Sequence, residues 1–264
     1  MPTGIIGVIK RIYWVIKGIR NPWVFALDYL GLIKKKMIVY STRSGVKVWA
    51  RPGTADKSEI ALIFSNKEYP EKFFPKRKNL VVLDIGSHIG LFSLFLKKKI
   101  ESLNPNIFAI EPDPENFSLL KKNIELNHFE GIKCFNLAIG NWNGIGHIDK
   151  RKLSDAFVVE RNISLELKKY YRQCQVLTLE RFCKQNKIKK IDLLKIDCEG
   201  MEHEIFKDSI KFIKKNIRTI FLEVHDLDQE RNYLNFEKYI SSQGFLVKAK
   251  MFPTVAFLEN TSLK

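Results

Sequence analysis

The chain has 264 residues, of which 45% are apolar and 28% are charged. A chain of this length can bury a full core, and this apolar content excludes a disordered protein. Lys and Arg number 45 against 29 Asp and Glu, so the formal net charge is +16. That charge favours acidic partners such as nucleic acid, anionic lipid or acidic sugars, but solvated helix faces explain it equally well.

The four cysteines all lie in the second half of the chain. They are Cys134, Cys174, Cys183 and Cys198, and no two have the C-x-x-C spacing of a zinc or redox motif. We therefore expect no zinc site and interpret these residues as reduced, buried thiols of a cytoplasmic protein.

The first predicted element is an amphipathic helix over residues 4–20. Its isoleucines recur at helical spacing on one side, whereas Lys10 and Lys17 share the other side. Pro22 ends the helix, because the residue before a proline avoids helical backbone angles. The apolar stretches are too short to span a bilayer. The helix can lie in a membrane interface, pack on its own domain or contact a partner chain, so peripheral membrane contact stays an open expectation.

The residues up to 79 form a predicted N-terminal extension that precedes the main sheet. A second short helix is expected over 23–33, and Met37–Tyr40 and Val46–Ala50 flank a polar turn as a β-hairpin. A third helix is expected over Ser58–Ser65. We hypothesise that this extension, residues 1–79, caps the substrate side of a second domain that covers residues 80–264.

A strand, a glycine-rich turn and a helix begin the second domain. Val81–Leu83 is an apolar, β-branched run that predicts a buried parallel strand. Asp84 stands near its carboxyl end, and Gly86 and Gly90 bracket the turn into the helix Leu91–Lys99. Together these residues are typical of a nucleotide crevice in an open α/β sheet.

A second buried strand, Ile107–Ile110, ends in Glu111 about twenty residues after the turn. An acid at this place accepts hydrogen bonds from ribose hydroxyls. The turn reads D-x-G-x-x-x-G instead of the G-x-G-x-x-G of NAD sites, and Asp84 would repel a pyrophosphate while suiting an ammonium group. A ligand with a ribose at one end and an amino acid at the other is S-adenosylmethionine, which we take as the predicted cofactor.

The remaining chain alternates strands and helices. A helix over Pro114–Asn127 precedes the strand Ile132–Ala138, and Ile148–Gln173 is interpreted as a polar, less regular insert that faces the substrate. Later strands are predicted at Cys174–Leu177, Ile191–Ile196, Thr219–Val224, Phe245–Lys250 and Thr254–Glu259, with helices over Thr178–Lys184, Met201–Ile213 and Gln229–Ser241. The last two strands are too close in sequence for a parallel crossover. The predicted fold is α/β, a Rossmann-like class I methyltransferase with a mostly parallel seven-stranded sheet, an antiparallel last strand and an N-terminal helical and β-hairpin extension.

Candidate catalytic residues follow two of these strands at their carboxyl ends: Asp197, Glu199, Glu223 and His225. His225 has the best ordinary pKa for a base near neutral pH, and Asp197 could orient it or be the base itself. These four groups could alternatively bind Mg²⁺ or Mn²⁺, which would acidify a bound hydroxyl, but the spacing does not require a metal and we do not favour one.

Several motifs then resemble one family. DIGSHIG, AIEPDPENFSLLKKNIELN, NLAIGN, VLTLERF, LLKIDCEGMEHEIF and FLEVH occur in the order and spacing of FkbM-type S-adenosylmethionine-dependent methyltransferases, over about residues 80 to 250. The resemblance implies methyl transfer to a hydroxyl oxygen of a sugar or natural-product scaffold. Together with the motif reading, it implies cofactor contacts at Asp84, Gly86, His88, Gly90, Glu111, Pro112, Asp113, Ala138 and Asp197. The family usually has Asn where this chain has His88, so no amide contact is expected there.

Other function classes fit the sequence less well. An RNA methyltransferase would suit the basic surface, but the chain has no Asn-Pro-Pro-aromatic motif and no visible RNA-binding module. A non-catalytic nucleoside-binding scaffold would bind the cofactor without turnover, and a nicotinamide enzyme conflicts with the turn. We expect a small-molecule or glycan acceptor, no nucleic-acid partner, and a cytoplasmic protein that can associate with the cytoplasmic face of a membrane. The oligomeric state is left open.

Overall fold

The structure is a computed structural model that describes residues 5–151, 159–251 and 255–263, with side chains from residue 10 onward except residue 11. Its helices are α1 (Ile5–Gly18), α2 (Pro22–Tyr29), α3 (Asp56–Phe64), α4 (Leu91–Lys99), α5 (Pro114–Leu126), α6 (Leu179–Gln185), α7 (Glu202–Asn216) and α8 (Tyr233–Ser242). Its strands are β1 (Ile38–Ser41), β2 (Lys47–Ala50), β3 (Val81–Ile85), β4 (Asn106–Ile110), β5 (Ile132–Phe135), β6 (Ala138–Gly140), β7 (Gly144–Asp149), β8 (Val159–Glu160), β9 (Tyr171–Thr178), β10 (Ile191–Ile196), β11 (Ile217–Glu223), β12 (Phe245–Met251) and β13 (Val255–Asn260).

The main sheet has seven strands in the order β12-β13-β11-β10-β3-β4-β5. The pairs from β11 to β5 are parallel, and β13 runs antiparallel to both of its neighbours. β10 is the central strand and is buried along its whole length, and four of its six residues are apolar, with Asp192 and Lys195 as the exceptions. The predicted Rossmann-like sheet with an antiparallel last strand is confirmed.

A second, four-stranded sheet with the order β6-β9-β7-β8 was not predicted. The expected single strand Ile132–Ala138 is wrong, because the chain leaves the main sheet after Phe135 and Ala138 begins β6. Asn136 accounts for the break: its side-chain amide donates to the backbone oxygens of Glu111 and Pro112 at 2.9 and 3.0 Å. The main chain therefore turns toward the end of β4.

The expected irregular insert, Ile148–Gln173, is also corrected. Its first two residues belong to β7, which continues back to Gly144, and its last three belong to β9. Both strands alternate buried and exposed residues, as a sheet with one solvated face does, and this alternation looked like polar irregular chain in the sequence. Residues 152–158 lie outside the described part of the chain.

The front section packs into the same core as the main sheet. Phe64 of α3 makes an edge contact with Phe95, and Tyr69 makes edge contacts with Phe92 and Phe221. The predicted hairpin is present as β1 and β2, while α2 ends at Tyr29, four residues before the expected end. The domain boundary between residues 79 and 80 stays a prediction.

Asn123 of α5 and Asn127, the residue directly after α5, hold the hairpin. Asn123 accepts from the backbone N–H of Trp49 at 2.7 Å and donates to its carbonyl at 3.2 Å. Asn127 does the same for Lys47, at 2.8 and 2.7 Å. Amide side chains thus satisfy the free edge of β2 and fix the extension to the main domain. Among the described helices, none combines the length and apolarity needed to cross a membrane.

Candidate functional site

A cavity opens at the carboxyl ends of β3, β4, β10 and β11, where open α/β sheets bind their ligands. Its volume is about 1120 Å³ when the space open to solvent at its mouth is counted. Nine of the residues predicted for the site line it: Gly86, His88, Glu111, Pro112, Ala138, Asp197, Glu199, Glu223 and His225. The other three, Asp84, Gly90 and Asp113, do not.

The turn after β3 requires glycine for a reason that the sequence did not indicate. Gly86 has a φ of +75°, and a β-carbon built there would lie 1.7 Å from the carbonyl oxygen of Asp197. The turn therefore crosses the loop after β10 in backbone contact. This crossing brings the predicted cofactor turn and the predicted catalytic acid to the same point of the cavity.

Glu111 lies beside this turn and is 5% exposed. Its two carboxylate oxygens accept from the backbone N–H groups of His88 and Asp113 at 2.8 and 3.0 Å. Burial raises the pKa of the carboxyl group above its ordinary value, while His88 and the two backbone donors act in the opposite direction. The Asn116 amide donates to the same oxygen as Asp113 at 3.4 Å. A carboxylate that lines the cavity at this place is the kind of group that accepts from ribose hydroxyls.

Asp84 is fully buried behind the cavity wall. One carboxylate oxygen accepts from the hydroxyl of Ser93 at 2.6 Å, and the other lies 3.6 Å from Nζ of Lys195. Asp84 does not line the cavity, and its second oxygen has an ion-pair partner at 3.6 Å but no hydrogen-bond donor among the described residues. The contact with the ammonium group of a cofactor that the sequence suggested stays a prediction.

Gly90 and Asp113 also act beside the cavity instead of lining it. Gly90, with a φ of +91°, is the residue before α4, and a β-carbon there would meet Leu120 at 2.5 Å. Asp113 caps α5 by accepting from the backbone N–H groups of Glu115 and Asn116. Its other oxygen pairs with Arg172 at 3.1 Å.

Three of the four catalytic candidates, Asp197, Glu199 and His225, lie close together in the cavity. Nε2 of His225 lies 3.6 Å from a carboxylate oxygen of Glu199 and 3.9 Å from one of Asp197. Nδ1 lies 3.0 Å from Glu202, a fully buried acid whose same oxygen also accepts from the backbone N–H of His225 at 2.7 Å. The buried carboxylate thus fixes the ring and leaves Nε2 toward the two acids of the cavity.

This arrangement changes the expected role of His225. Burial alone would lower the pKa of the imidazole, but the hydrogen bond that the ring donates to Glu202 and the charges of Glu202, Asp197 and Glu199 raise it to about 10. In the ligand-free protein the ring is therefore protonated at neutral pH. The expectation of a neutral histidine base rested on the ordinary pKa, which the three carboxylates change.

The side chain of Lys195 contacts both the Gly86 turn and Asp197. It is 4% exposed, donates to the backbone oxygen of Gly86 at 2.7 Å, and lies 3.2 Å from a carboxylate oxygen of Asp197. Burial alone would lower the pKa of Lys195, but the charges of Asp197 and Asp84 raise it. The ammonium therefore stays charged and holds Asp197 in place.

The extension contributes two acids that sequence reasoning missed. Glu59 and Glu68 line the cavity together with Glu223. Burial, and then the charges of Glu223 and Glu59, raise the pKa of Glu68 well above its ordinary value. Glu59 is the second residue of the predicted helix Ser58–Ser65 and Glu68 follows that helix by three residues, and neither belongs to the motifs quoted above.

His88 connects the extension to the turn. Its Nε2 lies 2.8 Å from a guanidinium nitrogen of Arg51, and its Nδ1 lies 3.6 Å from Glu59. Burial alone would lower the pKa of His88, but Glu59 and Asp56 raise it. This side chain thus contacts the extension while it also lines the cavity.

The residues of the cavity fit S-adenosylmethionine. Glu111 offers a carboxylate for the ribose, and Pro112, Leu137 and Ala138 supply apolar wall beside it for a purine ring. Separately, Asp197, Glu199 and His225 place one ligand atom each within 4.8 Å of one another, so within the described chain they are a group that could hold a divalent cation. A cation there would have to displace the proton of His225, because only the neutral ring is a ligand.

Comparison with known proteins finds methyltransferases. The model of the family described as "Methyltransferase FkbM domain" matches residues 84–247. "Methyltransferase 1" of Beauveria bassiana is 25% identical over 221 residues, which cover 76% of this chain and 86% of that protein. "Methyltransferase sdnD" of Sordaria araneosa is 25% identical over 200 residues, covering 63% of this chain and 74% of that protein.

A solved structure is similar in fold. The crystal structure of methyltransferase FkbM from Methylobacillus flagellatus superposes with a TM-score of 0.51 at 12% identity, covering 77% of this chain and 54% of that one. The chain thus spans about half the length of that protein. At this identity the match bears on the fold alone.

Proposed function

Because the chain belongs to the FkbM methyltransferase family, we propose that it transfers the methyl group of S-adenosylmethionine to a hydroxyl oxygen of a sugar or natural-product scaffold. The observation that carries this proposal is one cavity with two kinds of group in its wall. Glu111 is suited to the ribose of a nucleoside, and Asp197, Glu199 and His225 are suited to a proton transfer, with the Gly86 turn in backbone contact with Asp197.

The cofactor, when bound, supplies a sulfonium-activated methyl group. The protein then has to place an acceptor oxygen in line with that methyl group, and positioning of this kind can contribute about 7–11 kcal/mol to the lowering of a barrier. The carboxylates and imidazole of the cavity offer several hydrogen bonds with which to orient a polyhydroxylated acceptor. This polar lining supports a sugar-like acceptor better than an apolar one.

The proton of the acceptor hydroxyl needs a base. As the new carbon–oxygen bond forms and the carbon–sulfur bond breaks, the acceptor oxygen becomes positively charged and strongly acidic. A carboxylate is basic enough for such a proton, so Asp197 or Glu199 takes it while the His225 imidazolium and Lys195 keep both acids in position. S-adenosylhomocysteine and the methyl ether leave the site.

The first experiment is a calorimetric titration with S-adenosylhomocysteine, with NAD as the control ligand. Labelled S-adenosylmethionine is then offered with glycans, polyhydroxylated natural products and RNA, and the products are analysed for methyl ethers. We expect saturable binding of S-adenosylhomocysteine alone and label in a methyl ether of a glycan or natural product. Label in RNA, or binding of NAD instead, would contradict the proposal.

His225→Gln tests the proton-transfer groups separately. We expect kcat to fall by about 10²- to 10⁴-fold, with the affinity for S-adenosylhomocysteine retained. His128→Gln, at a histidine outside the cavity, is the matched control. Chelation of divalent cations shows whether Asp197, Glu199 and His225 act by themselves or as ligands of a cation. Unchanged activity after chelation supports the residues alone. A loss of activity that Mg²⁺ or Mn²⁺ restores indicates a cation held by these three residues.

A further inference from the structure

Exposed large apolar side chains gather at the front of the chain. On α1, on α2 and directly after α2, eight of them are at least 42% exposed: Ile12, Tyr13, Ile16, Trp23, Leu27, Tyr29, Leu30 and Leu32. Folded monomers seldom leave so much apolar surface in one short segment without a partner. The sequence assigned Ile12 and Ile16 to the same apolar side of α1 as Ile19, but only Ile19 is buried.

The reason is that α1 packs on α3 with a different face. Val15 and Ile19 are buried, and Gly18 lies so close to α3 that a β-carbon would be 2.9 Å from the carbonyl oxygen of Ala61. Ile12 and Ile16, one helical turn apart, are left on a free face. The helix therefore both packs on its own domain and presents an apolar surface.

The charges of this region have one sign. Residues 1–55 contain ten Lys and Arg and a single acid, Asp28. Asp28 is 2% exposed and accepts from the Tyr40 hydroxyl and the Gly53 backbone N–H, both at 2.7 Å. Among the described residues before residue 56, the surface therefore carries no acidic side chain, whereas Lys34, Lys35 and Lys36 stand exposed just after the apolar segment.

A shallow groove lies beside α2 and adds a site for an anion. Arg20, Trp23 and Lys47 line it together with Asn21, Ser41, Thr42 and Gly45. The exposed Trp23 ring offers apolar contact, and Arg20 and Lys47 offer charge. A phosphate group with an attached acyl chain combines the same two chemistries.

We propose that α1, α2 and residues 30–36 form a docking surface for an anionic phospholipid bilayer. Interfacial elements of this kind combine apolar and aromatic side chains with Lys and Arg. A protein partner is the weaker alternative, because lysine is depleted at protein–protein interfaces and here it flanks the apolar residues. The proposal does not depend on the reaction. The helix α3, on which α1 packs, carries Glu59 and Leu62 of the cavity. When the protein is bound to the bilayer, α1 therefore separates the bilayer from the helix that lines the cavity.

The test is co-sedimentation of the intact protein with vesicles. Vesicles of phosphatidylglycerol and phosphatidylcholine are compared with vesicles of phosphatidylcholine alone, at low and at physiological salt. We expect binding to the anionic vesicles only. The double variant Trp23→Ser/Leu30→Ser should weaken that binding by at least about tenfold, since two exposed apolar side chains no longer enter the interface. Leu165→Ser/Leu234→Ser removes two equally exposed leucines elsewhere and should leave binding unchanged.

A second pair of variants tests the charges. Lys34→Gln/Lys35→Gln/Lys36→Gln should weaken binding by at least about tenfold, because each lysine near an anionic surface contributes to the attraction. Lys121→Gln/Lys122→Gln/Lys238→Gln lowers the net charge by the same amount at exposed positions outside the surface and should have a small effect.

Three results would overturn the proposal. The first is no binding of the intact protein to anionic vesicles. The second is an equal loss in the matched control variants, which would mean a general attraction by the net charge. The third is self-association in sedimentation velocity without lipid that Trp23→Ser/Leu30→Ser abolishes, which would make a second copy of the chain the occupant.

Discussion

At the scale of single residues, the charge on His225 is set by acids that hold it from two sides. Glu202 fixes Nδ1 at 3.0 Å, while Glu199 and Asp197 face Nε2. The pKa of the ring is thus about 10 in the folded protein, against 6.5 for the free side chain. A raised pKa means that the ring contributes stability in full below about pH 6.5 and loses that contribution as the pH rises through about 10.

This titration can be followed by NMR of the histidine rings in the cofactor-free protein. We expect His225 to titrate near pH 10, and Glu202→Gln to lower its apparent pKa by at least about one unit, because the ring loses its closest negative partner. Glu204→Gln, on the same turn of α7, should leave it unchanged. Titration of His225 near pH 6.5 in the unaltered protein would show that the acids do not hold its proton.

The sequence indicates some of these residues and not others for physical reasons. Asp197 and His225 follow buried strands, so their place at the sheet edge could be predicted from the strands alone. Glu202 lies in the first turn of a helix, where acids are common on surfaces and a buried one looks no different. Glu59 and Glu68 reach the cavity only through the packing of the extension on the sheet, which no local pattern encodes.

At the scale of elements, β3 and β10 are joined by charge as well as by backbone hydrogen bonds. Lys195 and Asp84 stand opposite each other in the register of the two strands, with 3.6 Å between the ammonium nitrogen and the carboxylate. Both are buried, so each charge depends on the other for its stability. The same ammonium group also contacts Asp197 and donates to the Gly86 carbonyl. Lys195 is therefore the cation that pairs with an acid in the sheet and with an acid of the site.

Removing that cation should be costly. We expect Lys195→Met to lower the free energy of unfolding by about 3–5 kcal/mol, because it leaves buried acids without their partner. Asp84→Asn/Lys195→Met should cost less than the two single changes added together, since the double variant leaves less uncompensated charge. Urea unfolding measures both, with Lys189→Met as an exposed control. Additive effects would mean that the two groups do not interact.

Strands and helices could be predicted where the pattern of apolar residues in the sequence was that of a single element type. The strands Val81–Ile85 and Ile191–Ile196 are almost wholly buried, and most of their residues are apolar. The helix α4 matches its predicted bounds. The four-stranded sheet was missed because β7 and β9 have one solvated face, and because the break at Asn136 depends on carbonyl groups 24 and 25 residues away in the chain.

At the scale of the whole molecule, the extension and the sheet form one packed body. Phe73 stacks on Phe257 of β13 with 4.5 Å between the ring centroids, and Tyr69 contacts Phe221 of β11 at 5.3 Å. The segment that carries Glu68 is thus anchored in the core on which the sheet is built. A ligand that fills the cavity consequently touches parts of the chain that fold together, and its binding should stabilise the whole protein.

This coupling predicts a thermal shift. At a concentration about a hundred times its Kd, S-adenosylhomocysteine should raise Tm by about 5–10 °C in a chain of this size. Glu111→Gln should remove most of that shift, because the cofactor loses its charged ribose partner, whereas Glu115→Gln, on the exposed first turn of α5, should retain it. An undiminished shift in Glu111→Gln would place the cofactor elsewhere.

The crossing at Gly86 also bears on which sequences this fold can accept. Every codon change that replaces this glycine adds a β-carbon, and that atom would lie 1.7 Å from the carbonyl oxygen of Asp197. Gly45 and Gly53 have equally positive φ values but open space around them, so a substitution there meets only the backbone preference. In a saturation library, position 86 should therefore be closed to all nineteen alternatives, while positions 45 and 53 admit several.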